Sequence, residues 1–106
     1  MAFSKLNLYD LNDQITCGFM KGFAYPARLE ILRRLNYEGP LCVEILAQGH
    51  PISKETLSNH LKILRETHLV NWEEKYPYTF YSLDEKNMEK AIQLILAYLN
   101  LFLRGE

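Results

Sequence analysis

Ser53-Lys54-Glu55-Thr56-Leu57-Ser58-Asn59-His60-Leu61-Lys62-Ile63-Leu64 is the stretch whose reading decides the fold. Ser53 is a residue type whose side-chain oxygen caps a helix start. Beyond it Leu57, Leu61, Leu64 and His68 follow at spacings of four, three and four. On a helix that spacing makes one buried stripe. The opposite face carries Glu55, Ser58, Asn59 and Lys62, with His60 and Lys54 near the edges. A helix over about 53–68 is expected.

Upstream, Gly49-His50-Pro51 reads as a tight turn. Before it, Leu41 to Gln48 reads as a short helix with Val43, Ile45, Leu46 and Ala47 apolar. Earlier still, Pro26 sits where a helix begins, because a first-turn proline loses no intrahelical hydrogen bond. Leu29, Ile31, Leu32 and Leu35 then form an apolar stripe with Arg28, Arg33 and Arg34 on its flanks, and Gly39-Pro40 stops the helix. A first helix is expected over about 9–21. Downstream of Leu69 the period changes to two. Val70, Trp72, Phe80 and Ser82 flank Lys75-Tyr76-Pro77-Tyr78, the pattern of a hairpin over about 69–82. Ser82, with Glu85 three residues on, reads as a capping box for a last helix from Asp84 to about Leu103. Two short helices meeting at a tight turn, followed by a β-ribbon, predict a mainly α fold with a small β-hairpin: a winged helix-turn-helix.

The chain has 106 residues, enough for one domain over 1–106 and too few for two. It is 48% hydrophobic and 24% charged, the make-up of a folded globular protein. Its formal net charge is -1, so any attraction for nucleic acid has to be local. Two cysteines, Cys17 and Cys42, are too few for a disulfide framework and fit a reducing cytoplasm. Met1 to Lys5 shows no secretory pattern. The most apolar stretch, Ala91 to Leu103, is interrupted by Gln93 and Asn100 and is shorter than the ~20 residues a bilayer needs. The expectation is a cytoplasmic protein without a membrane partner.

Three blocks, in order, resemble the ArsR/SmtB-type regulators. Tyr25-Pro26-Ala27-Arg28-Leu29-Glu30-Ile31-Leu32-Arg33-Arg34-Leu35 is similar to their P-x-R-L-x-I-L-x-x-L helix. Leu41 to Ala47 resembles their L-C-V-x-x-L-A helix, and Ser53 to Leu64 their S-x-x-T-[VL]-S-x-H-L-K-x-L recognition helix. Leu69-Val70 and Thr79 to Leu83 resemble the wing strands. The resemblance covers about residues 19–83. It implies dimerisation through the terminal helices, a palindromic operator in double-stranded DNA, and repression.

On that reading the N-terminal half of the polar face of the 53–68 helix meets the major groove. Asn59 can pair bidentately with adenine, and Lys62 can reach guanine or phosphate. Ser53 can bond a phosphate at the helix start, with Lys54 and Ser58 beside it. Glu55 repels phosphate, unless it accepts from a cytosine amino group. In the wing only Lys75 and Tyr76, with Tyr78, suit a phosphate backbone, and Glu73 and Glu74 oppose it. Weak, salt-sensitive binding follows.

Many such relatives sense a metal through a C-V-C pair. Here Cys42-Val43-Glu44 lacks the second thiolate that a soft metal prefers. The last helix holds no histidine for a zinc set, and His50, His60 and His68 match no compact ligand pattern. No metal or cofactor is expected, and the inducer is open. Cys17 and Cys42 read as small buried hydrophobes, the alternative being a redox pair that alters the dimer. The last helix is apolar on more than one side, which predicts a self-partner. Its interface is expected to involve Ile92, Ile95, Leu96, Leu99 and Phe102, with Leu8, Leu11, Ile15 and Phe19 of the first helix.

The expected function is a homodimeric, sequence-specific transcriptional repressor. The alternatives are a winged-helix module for protein contacts and a cysteine-based redox regulator. No Ser/His/acid order, phosphate loop or metal-water constellation marks an enzyme.

Overall fold

The computed structural model describes residues 9–103. Helix α1 (Leu11–Met20) starts at Asp10, whose carboxylate accepts from the amides of Asn12, at 2.7 Å, and Asp13. A single 3₁₀ turn, Lys21–Phe23, leads to α2 (Pro26–Glu38), which has proline in its first turn and Gly39 at its C-terminal end with φ 80°. Strand β1 (Leu41–Cys42) precedes α3 (Val43–Ala47). Helix α4 (Lys54–Glu66) follows, then β2 (Val70–Lys75), β3 (Tyr78–Leu83) and α5 (Glu85–Leu103). The strands form one antiparallel sheet in the order β1-β3-β2.

The core lies where α2, α3 and α4 meet the base of the sheet. Ile31, Leu46, Leu57, Leu61, Leu64 and Leu69 are its fully buried large side chains. Each such burial is worth about 1.5–3 kcal/mol. Helix α5 leaves this cluster and packs along α1. Among the described residues of α5, Ala91 alone is fully buried.

Five expectations shift. Leu41–Cys42 is a strand and not the start of a helix, because Leu41 pairs with Tyr81 and Cys42 with Phe80. In α2 the buried stripe is Arg28, Ile31, Leu32 and Leu35, while Leu29 is 41% exposed. His68 does not extend the stripe of α4: the helix ends at Glu66, and His68 is exposed in the left-handed region at φ 62°. That turn points the chain into β2. The carbonyl of His68 accepts from the side-chain amide of Asn87 at 3.0 Å. Ser82 does not cap α5, because β3 runs on to Leu83 and Ser82 pairs with Asn71. The cap is Asp84, whose carboxylate accepts from the Asn87 amide at 3.0 Å while its own amide donates to the Leu69 carbonyl. Phe19, expected at a dimer surface, is only 8% exposed within the protomer's own core.

Candidate nucleic-acid interface

Helix α4 is built to show one face. Leu57, Leu61 and Leu64 are completely buried, so rotation about the helix axis would cost several apolar burials. The hydroxyl oxygen of Ser53 accepts from the Thr56 amide at 3.2 Å and fixes the N-terminus. Glu55, Ser58, Asn59 and Lys62 are consequently exposed together along the opposite side.

The neighbours of this face modify the expectations residue by residue. Lys54 is drawn sideways to Glu44 of α3, with 2.8 Å between Nζ and the carboxylate. The ion pair holds the Glu44 carboxyl below its ordinary range and raises the Lys54 ammonium. The Ser53 oxygen, expected to bond a phosphate, is engaged in the cap and lies 3.0 Å from the Thr56 hydroxyl. Lys62 makes no ion pair among the described residues, which leaves its full charge available to a phosphate.

Between α4 and the sheet lies an open groove of about 370 Å³, lined by Ser58, Lys62, Arg65, Glu66, Trp72 and Tyr81. Arg65 stacks on Trp72, its guanidinium carbon 3.7 Å from the ring centroid. This cation–π stack fastens α4 to β2. Arg65, Trp72 and Tyr81 are additions to the site that the sequence pattern did not point to. Arg65 falls one helical turn beyond Lys62 on nearly the same side, and that spacing was the available signal.

Strand alternation separates the wing's acidic pair. Trp72 and Glu74 point to the face of Val70, while Glu73 and Lys75 point to the other. Glu73 is 3.5 Å from the Lys75 ammonium. Lys75 thus has an acidic neighbour near the tip of the hairpin, and Tyr76 at the turn is 98% exposed.

The helix-turn-helix itself is braced by polar ties. Arg28 is 6% exposed, yet charged. Its Nε donates to Nδ1 of His60 in α4 at 3.1 Å, and its Nη1 donates to the Lys21 carbonyl. Its guanidinium lies 4.8 Å from the Tyr25 ring centroid. In the turn before α4, His50 Nδ1 accepts from the Ile52 amide at 3.3 Å while Nε2 lies against the Glu30 carboxylate of α2. Arg28 and His60 are not recognisable as a pair in the sequence, because 32 residues separate them.

The arsR family of bacterial regulatory proteins matches at residues 25–71, the span from the start of α2 to the start of the wing. Over 68 residues the chain is 34% identical to the arsenical resistance operon repressor of Bacillus subtilis, covering 64% of this chain and 65% of that one. The fold is that of ArsR-type regulators, and residues 25–71 are the span that matches the ArsR family. Its members are winged helix-turn-helix transcriptional regulators that bind DNA. The chain spans just under two thirds of the Bacillus repressor's length. Among solved ArsR-like folds, reduced HlyU from Vibrio cholerae is 30% identical over 82% of this chain and 92% of that one, with a TM-score of 0.64. An ArsR-like transcriptional regulator from Rhodococcus sp. RHA1 reaches a TM-score of 0.71 over 88% and 87% of the two chains. At 18% identity that likeness concerns the fold alone.

The metal chemistry associated with ArsR-type C-V-C pairs does not fit these residues. Cys42 is 4% exposed, and Glu44, where the second thiolate would stand, is engaged by Lys54. Among the described residues no three His, Cys, Asp or Glu side chains converge on a metal position. Both cysteines are free; Cys42 is buried on β1 as expected, whereas Cys17, also expected to be buried, is exposed on α1. No helix among the described residues is long and apolar enough to cross a membrane.

Proposed function

We propose that this chain is a sequence-specific, DNA-binding transcriptional repressor acting as a cytoplasmic homodimer on an inverted-repeat operator, with no thiolate metal site in its short helix. The observation that carries the reading is the exposed Ser58, Asn59 and Lys62 stripe on a helix locked at 0% exposure along its other side. Asn59 reads adenine, Lys62 holds phosphate or guanine, and Ser58 adjusts the fit. Arg65, Lys75 and Tyr76 add bonds to the DNA backbone, and the helix-start amides at Ser53 and Lys54 provide another. Glu55 disfavours phosphate, which assigns it to the groove floor or to solvent.

Dimerisation rests on α5. Ile92, Leu96, Leu99 and Phe102 are 47–69% exposed in the lone protomer, and Leu11 of α1 is 68% exposed. Ile15 and Ile95 are half-buried beside them, and Leu8 lies outside the described residues. A small domain that leaves so large an apolar face uncovered gains by pairing it with its own copy. A twofold protein also sets two recognition helices about one DNA turn apart.

The test separates reading from holding. Asn59→Ala is expected to cost about 1–3 kcal/mol on selected DNA and little on random DNA. Lys62→Ala is expected to weaken both equally and to reduce the salt slope by about one for each phosphate it ceases to neutralise. Binding to selected and random duplexes, titrated between low and moderate salt, checks both. Equal effects of the two variants on both DNAs would contradict the assignment of Asn59 as a base reader.

A further inference from the structure

We propose that Arg28 and His60 form a positioning pair that seats the recognition helix on α2, and that protonation of His60 unseats it, so that DNA is held at neutral pH and released in mild acid. The inference rests on the reading of α4 as the DNA-binding helix. It goes beyond that reading by assigning two residues that touch no DNA and a proton that acts through them.

The geometry dictates the chemistry. Arg28 is a permanent cation with donors only. Its Nε points at Nδ1 of His60 at 3.1 Å, so Nδ1 must carry a lone pair and the ring proton sits on Nε2. A second proton on His60 has to go to Nδ1. It would replace an acceptor by a donor and bring a second cation against Arg28, which is itself buried.

Arg28 has little freedom to withdraw. It is 6% exposed, its Nη1 is held by the Lys21 carbonyl of the 3₁₀ turn, and its face lies on Tyr25. The displacement therefore falls on His60 and on α4. Asn59 is the adjacent residue and Lys62 lies two positions on, so movement of His60 moves the face that reads DNA.

The side chains around the half-buried His60 offer no compensating negative charge. From α2 the charged group facing it is Arg28, and the titratable ring is Tyr25, with centroids 5.3 Å apart. On α4 its neighbours one turn away are Thr56, Leu57, Ile63 and Leu64, all uncharged. Burial, and then the Arg28 charge, push the imidazole below its ordinary value. The unfolded chain binds the proton better in the interval below about 6.5. Acid therefore also lowers folding stability there, and the experiment stays at pH values where circular dichroism shows intact helix.

The sign of the effect makes the test decisive. A proton gained near DNA ordinarily tightens binding, because it adds a positive charge to the attraction for phosphate. The pair predicts the reverse. The probe is a 30-base-pair duplex enriched from a random library on the wild-type protein at pH 7.5, and its dissociation constant is followed down to pH 5.5. Affinity is expected to fall toward a limiting slope of about tenfold per pH unit and per recognition helix below the His60 midpoint, so that by pH 5.5 the fall stays under about tenfold per helix and about a hundredfold for a dimer. His60→Asn keeps an oxygen that can accept from Arg28 and takes up no proton. It is expected to flatten the profile.

NMR titration of the His60 ring in the free protein supplies a readout that needs no DNA. The expected result is a bare Nδ1 with a midpoint below that of a free histidine. Arg28→Lys is expected to move that midpoint. Tighter or unchanged binding in acid, a weakening that persists in His60→Asn, or a proton on Nδ1 at neutral pH would each overturn the proposal. Failure to enrich any duplex would contradict the DNA-binding reading instead, and the ring titration would still decide the pair.

Discussion

Replacing Leu96 and Leu99 with glutamate is expected to give folded monomers whose affinity for an inverted-repeat duplex is lower by about 10²–10⁴-fold. Both side chains are about half exposed in the isolated protomer, 53% and 47%, so the substitutions remove little from its core. In a dimer built on α5 they would bury four carboxylates against apolar surface, which neither desolvation nor like-charge repulsion allows. The fall in DNA affinity follows from geometry, because a monomer engages one half-site and gives up the effective concentration of the second helix. Sedimentation and circular dichroism check the assembly and the fold, and titration of duplex checks the affinity. A variant that stays dimeric would place the interface elsewhere, and a monomer with wild-type affinity would remove the need for a dimer.

The largest stability effect is expected at Leu61. Its side chain is 0% exposed between Leu57 and Leu64, at the centre of the cluster that α2, α3 and β2 share. Leu61→Ala removes the transfer free energy of three carbons and leaves a cavity in a dense core, at a cost of about 2–5 kcal/mol. A domain of this size commands only about 5–15 kcal/mol in all. The expected outcome is a large fall in urea midpoint, measured at fixed protein concentration because pairing adds to apparent stability. Lys62→Ala, one residue along and exposed, is expected to stay within about 0.5 kcal/mol of wild type. A destabilisation below about 1 kcal/mol at Leu61 would contradict the packing described for α4.

The contrast between these neighbours shows what the sequence made legible. Helix α4 was readable because a cap residue and three leucines at strict spacing agree, and local and tertiary forces there point the same way. The hairpin was readable from its period of two. Strand β1 was not, since two residues carry no period and Leu41–Cys42 becomes a strand only by pairing with β3. In α2 the apolar preference misplaced the stripe by one residue. Arg28 sits at the right spacing before Ile31, Leu32 and Leu35, and it is buried because His60 and the Lys21 carbonyl meet its donors. A charged residue on an apolar register is a signal that composition alone hides. His68 fails in the opposite sense, since the spacing continues into it after the helix has ended.

Of the candidate site, the polar face of α4 was fully visible and its supports were not. The Arg65–Trp72 stack joins a helix to a strand, and the Arg28–His60 bond joins two helices. Both depend on how elements dock, which no local pattern encodes. In the sequence the wing reads as poor for DNA because Glu73 and Glu74 precede Lys75. Strand pairing refines that reading, since Glu73 lies against Lys75 while Glu74 shares the face of Trp72. Electrostatic attraction then falls mainly to Lys62 and Arg65, which is why binding is expected to be salt-sensitive with few phosphates engaged per protomer.

The central claim, that the exposed face of α4 reads DNA, is tested most directly by a gel shift of the purified dimer against genomic fragments at low salt. The account predicts that a small subset of fragments shifts, that they share an inverted repeat with half-sites about one helical turn apart, and that Asn59→Ala loses the preference for them. A folded dimer that shifts no fragment would contradict the account and favour a winged helix kept for protein contacts.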